Sequence, residues 1–217
     1  MEPDIVAIKS STFNVMTYLV ICPDTWDAAV IDPGEEPDSL LNLLVEKGVR
    51  LVYVLNTHGH ADHVQGNAFF KKHFKIPVLL HEADNRFFTT PKQKDEAGKM
   101  GLVPLEFADI LLKDGDILHV GHLEIRIIHT PGHTPGSVCF FTGKHLFTGD
   151  TLFVGDAGRT DGDGGSLEKL LNSIEFKLMT LPHETIIWPG HDYGPVKTST
   201  IGNEIKTNPY INDFILS

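Results

Sequence analysis

The chain is 217 residues long, with 41% hydrophobic and 22% charged residues and a net charge of −11. Those proportions suit a globular protein with ample length to bury a core, expected as one domain over residues 1–217. The acidic balance argues against nucleic acid as a partner, because binding along phosphates needs a basic patch. In chain order, Ile5–Lys9, Asn14–Cys22 and Ala28–Ile31 read as short strands, parted by turns at Pro23-Asp24 and Asp32-Pro33-Gly34. Val15–Cys22, the longest early apolar run, is eight residues with a threonine, too short for a membrane span. The acidic start Met1-Glu2-Pro3-Asp4 is unlike a signal peptide, so a cytoplasmic location is expected. Pro37 suits a first helical position, Leu40, Leu41, Leu44 and Val45 form an apolar stripe, and Gly48 ends the helix.

The run Val49–Leu55 is rich in β-branched and aromatic residues and predicts a buried strand; Gly66–Phe74 predicts a helix and Ile76–Leu80 another strand. Thr89–Gly101 is polar and mostly aperiodic, which predicts a mobile surface loop or lid. From Ile117 the β pattern returns as Ile117–Val120, Leu123–Ile128, Ser137–Thr142 and His145–Thr148, with a tight turn at Gly143-Lys144. Ser166 caps a helix with the stripe Leu167, Leu170, Leu171, Ile174 and Leu178. Thr185–Trp188 is the last strand, and Thr200–Lys206 a final short helix. The lone cysteines, Cys22 and Cys139, form no Cys-x-x-Cys and are expected as buried free thiols. Periodicity by itself supports an α/β or α+β sandwich.

Chemistry concentrates where the strand Val49–Leu55 ends, in Thr57-His58-Gly59-His60-Ala61-Asp62-His63. Loops at strand ends are where a rigid scaffold holds functional groups, and imidazole with carboxylate is a donor set for zinc, iron or manganese. The alternative is a chance cluster of surface histidines, but 12 histidines spread over 217 residues seldom crowd so closely. Three later motifs also follow strand-like runs: Thr130-Pro131-Gly132-His133, Gly149-Asp150-Thr151 and Pro189-Gly190-His191-Asp192. His73, His81, His119, His122, His129, His145 and His183 lie outside these motifs and are expected at the surface or in packing.

The four motifs in this order resemble the metallo-β-lactamase superfamily, from about residue 10 to about residue 195. The resemblance implies a four-layer αβ/βα sandwich with its site at one edge of two sheets. It implies that His58, His60 and His133 hold a first metal, that Asp62, His63 and His191 hold a second, and that Asp150 bridges them. Two divalent ions are therefore expected, zinc first, with iron or manganese as alternatives. Cations held ~3.5–4 Å apart polarise a carbonyl and hold a hydroxide between them, and Asp62 would orient it. Seven donors exceed the four of a closed structural zinc site, which favours catalysis.

The segment Gly149-Asp150-Thr151-Leu152-Phe153-Val154, followed by Gly158-Arg159, looks like glyoxalase II, the hydroxyacylglutathione thioesterases. In that family a basic residue nine positions after the bridging aspartate holds glutathione, and Arg159 stands there; Tyr193 matches a tyrosine two positions after the last histidine. A planar guanidinium suits a glutathione carboxylate. Arg159 could instead pair with Asp161 or Asp163 to order its own loop, and Tyr193 could equally be a packing residue. Full-length glyoxalase II enzymes carry a helical C-terminal segment with further basic contacts, whereas this chain ends 26 residues after His191. Its Gly158-Arg159-Thr160-Asp161 form resembles short bacterial glyoxalase II-like hydrolases, and also persulfide dioxygenases, as does Ser199-Thr200-Ile201-Gly202. In the dioxygenases His58, His133 and Asp150 would hold a single iron with positions open to O₂, but that family shows Arg-Gly-Cys where this chain has Gly155-Asp156-Ala157. The first expectation is a hydrolase in which a metal-bound hydroxide cleaves a small glutathione-type thioester. The alternative is a mononuclear iron dioxygenase acting on glutathione persulfide. Hydrolysis of lactones, β-lactams or phosphoesters comes third.

Overall fold

The computed structural model describes residues 1–34 and 37–216. Two six-stranded sheets face each other. In the first, β1 (Asp4–Lys9), β2 (Met16–Ile21) and β3 (Asp27–Ile31) run antiparallel. Helix α1 (Pro37–Lys47) then crosses to β4 (Arg50–Leu55), which pairs parallel with β3. Helices α2 (Ala61–Val64) and α3 (Asn67–Phe74) lead to β5 (Val78–His81), and α4 (Glu82–Phe88) and α5 (Pro91–Lys99) lead to the edge strand β6 (Ile110–Leu112).

The second sheet begins with the antiparallel strands β7 (Ile117–Val120), β8 (Leu123–His129), β9 (Val138–Thr142) and β10 (His145–Gly149). A two-stranded ribbon, β11 (Leu152–Phe153) and β12 (Asp156–Ala157), precedes α6 (Leu167–Ser173). Strand β13 (Ile186–Pro189) joins β10 in parallel, β14 (Ser199–Thr200) closes the edge, and α7 (Ile201–Thr207) and α8 (Pro209–Phe214) end the described chain.

Side-chain alternation along the strands builds the layers. Met16, Tyr18 and Val20 of β2 meet Leu123, Ile125 and Ile127 of β8 in the core between the sheets. The alternate residues Leu19 and Ile21 face outward against Leu40 and Leu44 of α1 and Phe70 of α3. On the far side, Ile128, Leu146 and Ile187 face Leu170, Ile174, Leu178, Ile201 and Ile211. Helix–sheet–sheet–helix is the four-layer αβ/βα architecture. Cys22 lies in the inner core and Cys139 in the outer one, and both are free and buried. Among the described residues no helix is long and apolar enough to cross a membrane.

One predicted element differs. The stretch Thr89–Gly101 is not an irregular loop, because Pro91–Lys99 form α5. Thr90 takes the N-cap position with Pro91 just inside it, and the ion pairs Lys92–Glu96 and Asp95–Lys99 lie one turn apart. Ala97 is its one buried residue, so this helix has no apolar stripe for periodicity to detect. The predicted helix after Ser166 is present, capped by that hydroxyl. Its last turn widens into a π-helical turn over Ile174–Leu178, which keeps Ile174 and Leu178 fully buried beside Leu170.

Candidate metal centre

Four strand ends supply the site from one edge of the two sheets. The loop after β4 carries His58 and His60 into α2, which bears Asp62 and His63; the loops after β8, β10 and β13 carry His133, Asp150 and His191. The donor nitrogens of His58, His60 and His133 lie within 4.8 Å of one another, as do the donors of Asp62, His63 and His191. His60 Nδ1 is 2.9 Å from His133 Nε2, and His63 Nε2 is 3.1 Å from His191 Nε2. Asp150 lies between the groups, with Oδ2 3.5 Å from His133 Nε2 and 3.3 Å from His191 Nε2, and Oδ1 3.6 Å from His63 Nε2. Asp62 Oδ2 is 3.8 Å from the Nε2 atoms of both His63 and His191. All seven predicted donors are thus brought together. Gly190 is required between Pro189 and His191, since a Cβ there would run into Asp150 Oδ1.

The outer nitrogens of the rings fix their tautomers. His133 Nδ1 donates to Arg159 O at 2.7 Å and His191 Nδ1 to Phe13 O at 2.9 Å, because a carbonyl only accepts. His63 Nδ1 donates to the Asp32 carboxylate at 3.1 Å. Thr57 Oγ1 spends its proton on Asp32 at 2.6 Å and so accepts from His58 Nδ1 at 3.1 Å. Assigned from this network, the Nε2 atoms of His58, His133 and His191 turn a lone pair inward and that of His63 faces the same centre, the arrangement that outer hydrogen bonds give metal-bound histidine. Within the described residues, two buried polar side-chain atoms have no hydrogen-bond partner, His58 Nε2 and Asp150 Oδ1, and both face this centre. The residues fit two divalent cations.

Asp32 is a carboxylate of this candidate centre that sequence reasoning missed. Its carboxylate accepts from the Thr57 backbone N at 2.7 Å as well as from Thr57 Oγ1 and His63, and it is 1% exposed. To aim there it takes a left-handed backbone, φ +47°, which aspartate tolerates better than most residues. In sequence, Asp32-Pro33-Gly34 reads only as a turn; the carboxylate placed one residue after a strand is the signal that could have pointed to it.

The cluster polarises itself. Burial, with His63 nearby, holds His58 well below the usual histidine range, and burial with His133 pushes His60 down to about 3. Burial also opposes charge on His63, but Asp150, Asp62 and Asp32 outweigh it and push this imidazole up to about 10. Burial opposes charge on Asp150 too, and His63 overrides it, leaving the carboxylate well below its ordinary range. Without a cation, a proton on His63 therefore stands in the second group. Metal ligation needs neutral imidazole, so filling Asp62–His63–His191 should release about one proton, whereas His58 and His60 have none to give. Affinity of the second group should accordingly rise with pH up to about 10, where His63 loses its proton unaided. Zinc titration calorimetry in buffers of different ionisation enthalpy measures the release. Heats that do not depend on the buffer would contradict it.

The two predicted substrate contacts stand at the rim. The Arg159 guanidinium is 3.2 Å from Asp161, with 70% of its side chain exposed. Asp163 instead accepts from Lys92 and Gln93 of α5. Tyr193 stacks parallel on His191, centroids 4.7 Å apart and planes at 5°, and meets Phe153 edge-on. It remains 58% exposed, so packing holds one face and solvent meets the other.

Clustered strand-end His and Asp donors on an αβ/βα sandwich are an arrangement suited to a metal-dependent enzyme. Residues 11–191 match the family model described as the Metallo-beta-lactamase superfamily. The chain belongs to that superfamily. It is 36% identical over 199 residues to hydroxyacylglutathione hydrolase GloC of Haemophilus influenzae, covering 88% of this chain and 92% of that one. It is 33% identical over 196 residues to the mitochondrial persulfide dioxygenase ETHE1 of Homo sapiens, covering 89% of this chain and 70% of that one. The crystal structure of TTHA1623 in a di-iron-bound form matches with a TM-score of 0.80 at 34% identity, covering 94% of this chain and 99% of that one.

Proposed function

We propose that this protein is a hydrolase of the glyoxalase II type, a single catalytic domain that cleaves a small glutathione-type thioester in the cytoplasm. The observation that supports it is the position of Asp150, whose one carboxylate reaches His133 on one side and His63 and His191 on the other. A shared carboxylate is of use when two cations are held. Such ions, when bound, supply a nucleophile at neutral pH and polarise the carbonyl under attack; zinc is the first choice, and the di-iron relative supports iron as the second.

The chain's own groups divide the remaining work. Asp62, with 20% of its side chain exposed, is the carboxylate donor that opens toward solvent and orients the attacking water. Arg159 pairs with a carboxylate of the thiol carrier, exchanging its exposed contact with Asp161 for a bidentate one. Tyr193 supplies a flat wall beside His191 for the leaving thiol. The second reading, a mononuclear iron persulfide dioxygenase, is supported by the human relative at nearly equal identity. Against it stands Gly155-Asp156-Ala157, which here forms the turn and second strand of the β11–β12 ribbon. Metal analysis with paired assays, S-lactoylglutathione hydrolysis and O₂ uptake on glutathione persulfide, decides between them.

Arg159→Ala should raise KM about tenfold with kcat little changed, equivalent to ~1.4 kcal/mol of lost substrate binding. Asp161→Ala is the control. If Arg159 only orders its loop, both variants should behave alike; if it binds substrate, Asp161→Ala should leave KM near the parent value.

A further inference from the structure

Asp84 is a buried carboxylate that the metal chemistry does not use directly. It sits in the first turn of α4 and is 0% exposed. Its Oδ2 accepts from the Gly59 backbone N at 2.9 Å and from Thr134 Oγ1 at 2.7 Å, and its Oδ1 accepts from the Gly136 backbone N at 2.5 Å. Gly59 lies between His58 and His60, and Thr134 adjoins His133. One side chain therefore grips both loops of the three-histidine group, one loop from each sheet. Besides it, the backbone bond from Val138 N to Thr57 O, 2.8 Å, also ties them.

Both loops approach α4 as closely as glycine allows. A Cβ on Gly136 would collide with the Asp84 backbone N, and one on Gly59 with the Phe88 ring. Packing by itself would not call for a carboxylate here. Burial raises Asp84 to about 6, and the groups that pull it back are its three hydrogen-bond donors, with no cation beside it. A buried charge without a counter-ion is costly, and an apolar residue of similar size would fill the space more cheaply. What the carboxylate adds is three directed bonds, two to residues that adjoin metal-facing imidazoles and a third to Gly136 in the His133 loop.

We propose that Asp84 is a positioning residue for the three-histidine group, holding the His58–His60 loop and the His133 loop in register so that their nitrogens converge before a cation arrives. The inference requires that this group binds metal, and it is independent of the reaction that follows.

The test is zinc affinity of the full chain, measured in two backgrounds. His191→Ala leaves the three-histidine group and disables the second; His60→Ala does the reverse. Adding Asp84→Asn keeps the shape but turns an amide N–H₂ against one of the backbone N–H donors. It should weaken zinc binding 10- to 100-fold in the His191→Ala background, the usual cost of losing an outer-shell partner, and leave the His60→Ala background within about twofold. Thr134→Val, which removes one donor of the three and spares the carboxylate, should give a smaller loss in the same background only. Absorption of the cobalt-substituted three-histidine group should shift in both variants. Equal weakening in both backgrounds would overturn the proposal, as would unchanged affinity in the His191→Ala background. Absence of zinc binding in the His191→Ala parent would overturn the metal reading of the group and this proposal with it.

Discussion

Asp150→Ala should empty the centre of both metals and abolish turnover. The carboxylate is 8% exposed and lies within 3.6 Å of His63, His133 and His191, so this one side chain reaches both groups. Its removal leaves a ring of imidazoles with Asp62 as the remaining inner carboxylate, on one side only. The lost negative charge also leaves the protonated His63 with less to hold it, because Asp150 is the strongest of the three carboxylates acting on that ring. Losing a partner outside the ligands typically costs 10- to 100-fold in affinity, so losing a shared ligand should cost more than ~100-fold at each group. Metal content by mass spectrometry and thioester hydrolysis should therefore fall together. A variant that keeps two metals per chain and a near-parental rate would remove Asp150 from the bridging role.

His191→Ala separates the two chemistries. Its Nε2 faces His63, Asp62 and Asp150, and its Nδ1 is anchored on Phe13 O, so the ring belongs wholly to the second group. If the enzyme is a thioesterase using two cations, this variant should keep about half its metal and lose thioester hydrolysis by orders of magnitude. If it is a dioxygenase with one iron on His58, His133 and Asp150, that iron should remain and O₂ uptake with persulfide should largely survive. The hydrolase outcome is the one expected, because Asp150 is shaped to be shared. His191 is also the ring on which Tyr193 stacks, so Tyr193→Phe should accompany it. That control keeps the stacked aromatic, and it should leave metal content unchanged. A parent protein with one iron, no thioesterase activity and persulfide-dependent O₂ uptake would reverse the assignment.

Much of this molecule is legible in one dimension because its signals are local. A strand buried on both faces reads as an apolar run, as Val15–Cys22 does for β2, and each donor motif sits at the end of a strand-like run. The helix after Ser166 is visible because its stripe repeats with the helical period. Helix α5 is invisible for the converse reason: ion pairs along a polar surface hold it, and they leave no apolar trace. Arg159 shows a further limit, since its spacing from Asp150 is readable but its use of a backbone carbonyl to orient His133 is not.

The sequence by itself determined which residues are candidate donors, in what order they come and on which strand ends they stand. Tertiary structure alone decided how they are partnered. Asp32 touches His63 across 31 positions, and Asp84 reaches Gly59 across 25 and Gly136 across 52. Neither carboxylate belongs to a motif, and each is a turn or helix residue until two sheets close around it. A donor cluster within one loop is written by covalent spacing. The hydrogen bonds that orient it come from whichever side chains the fold delivers to its far side, and burial makes those bonds matter.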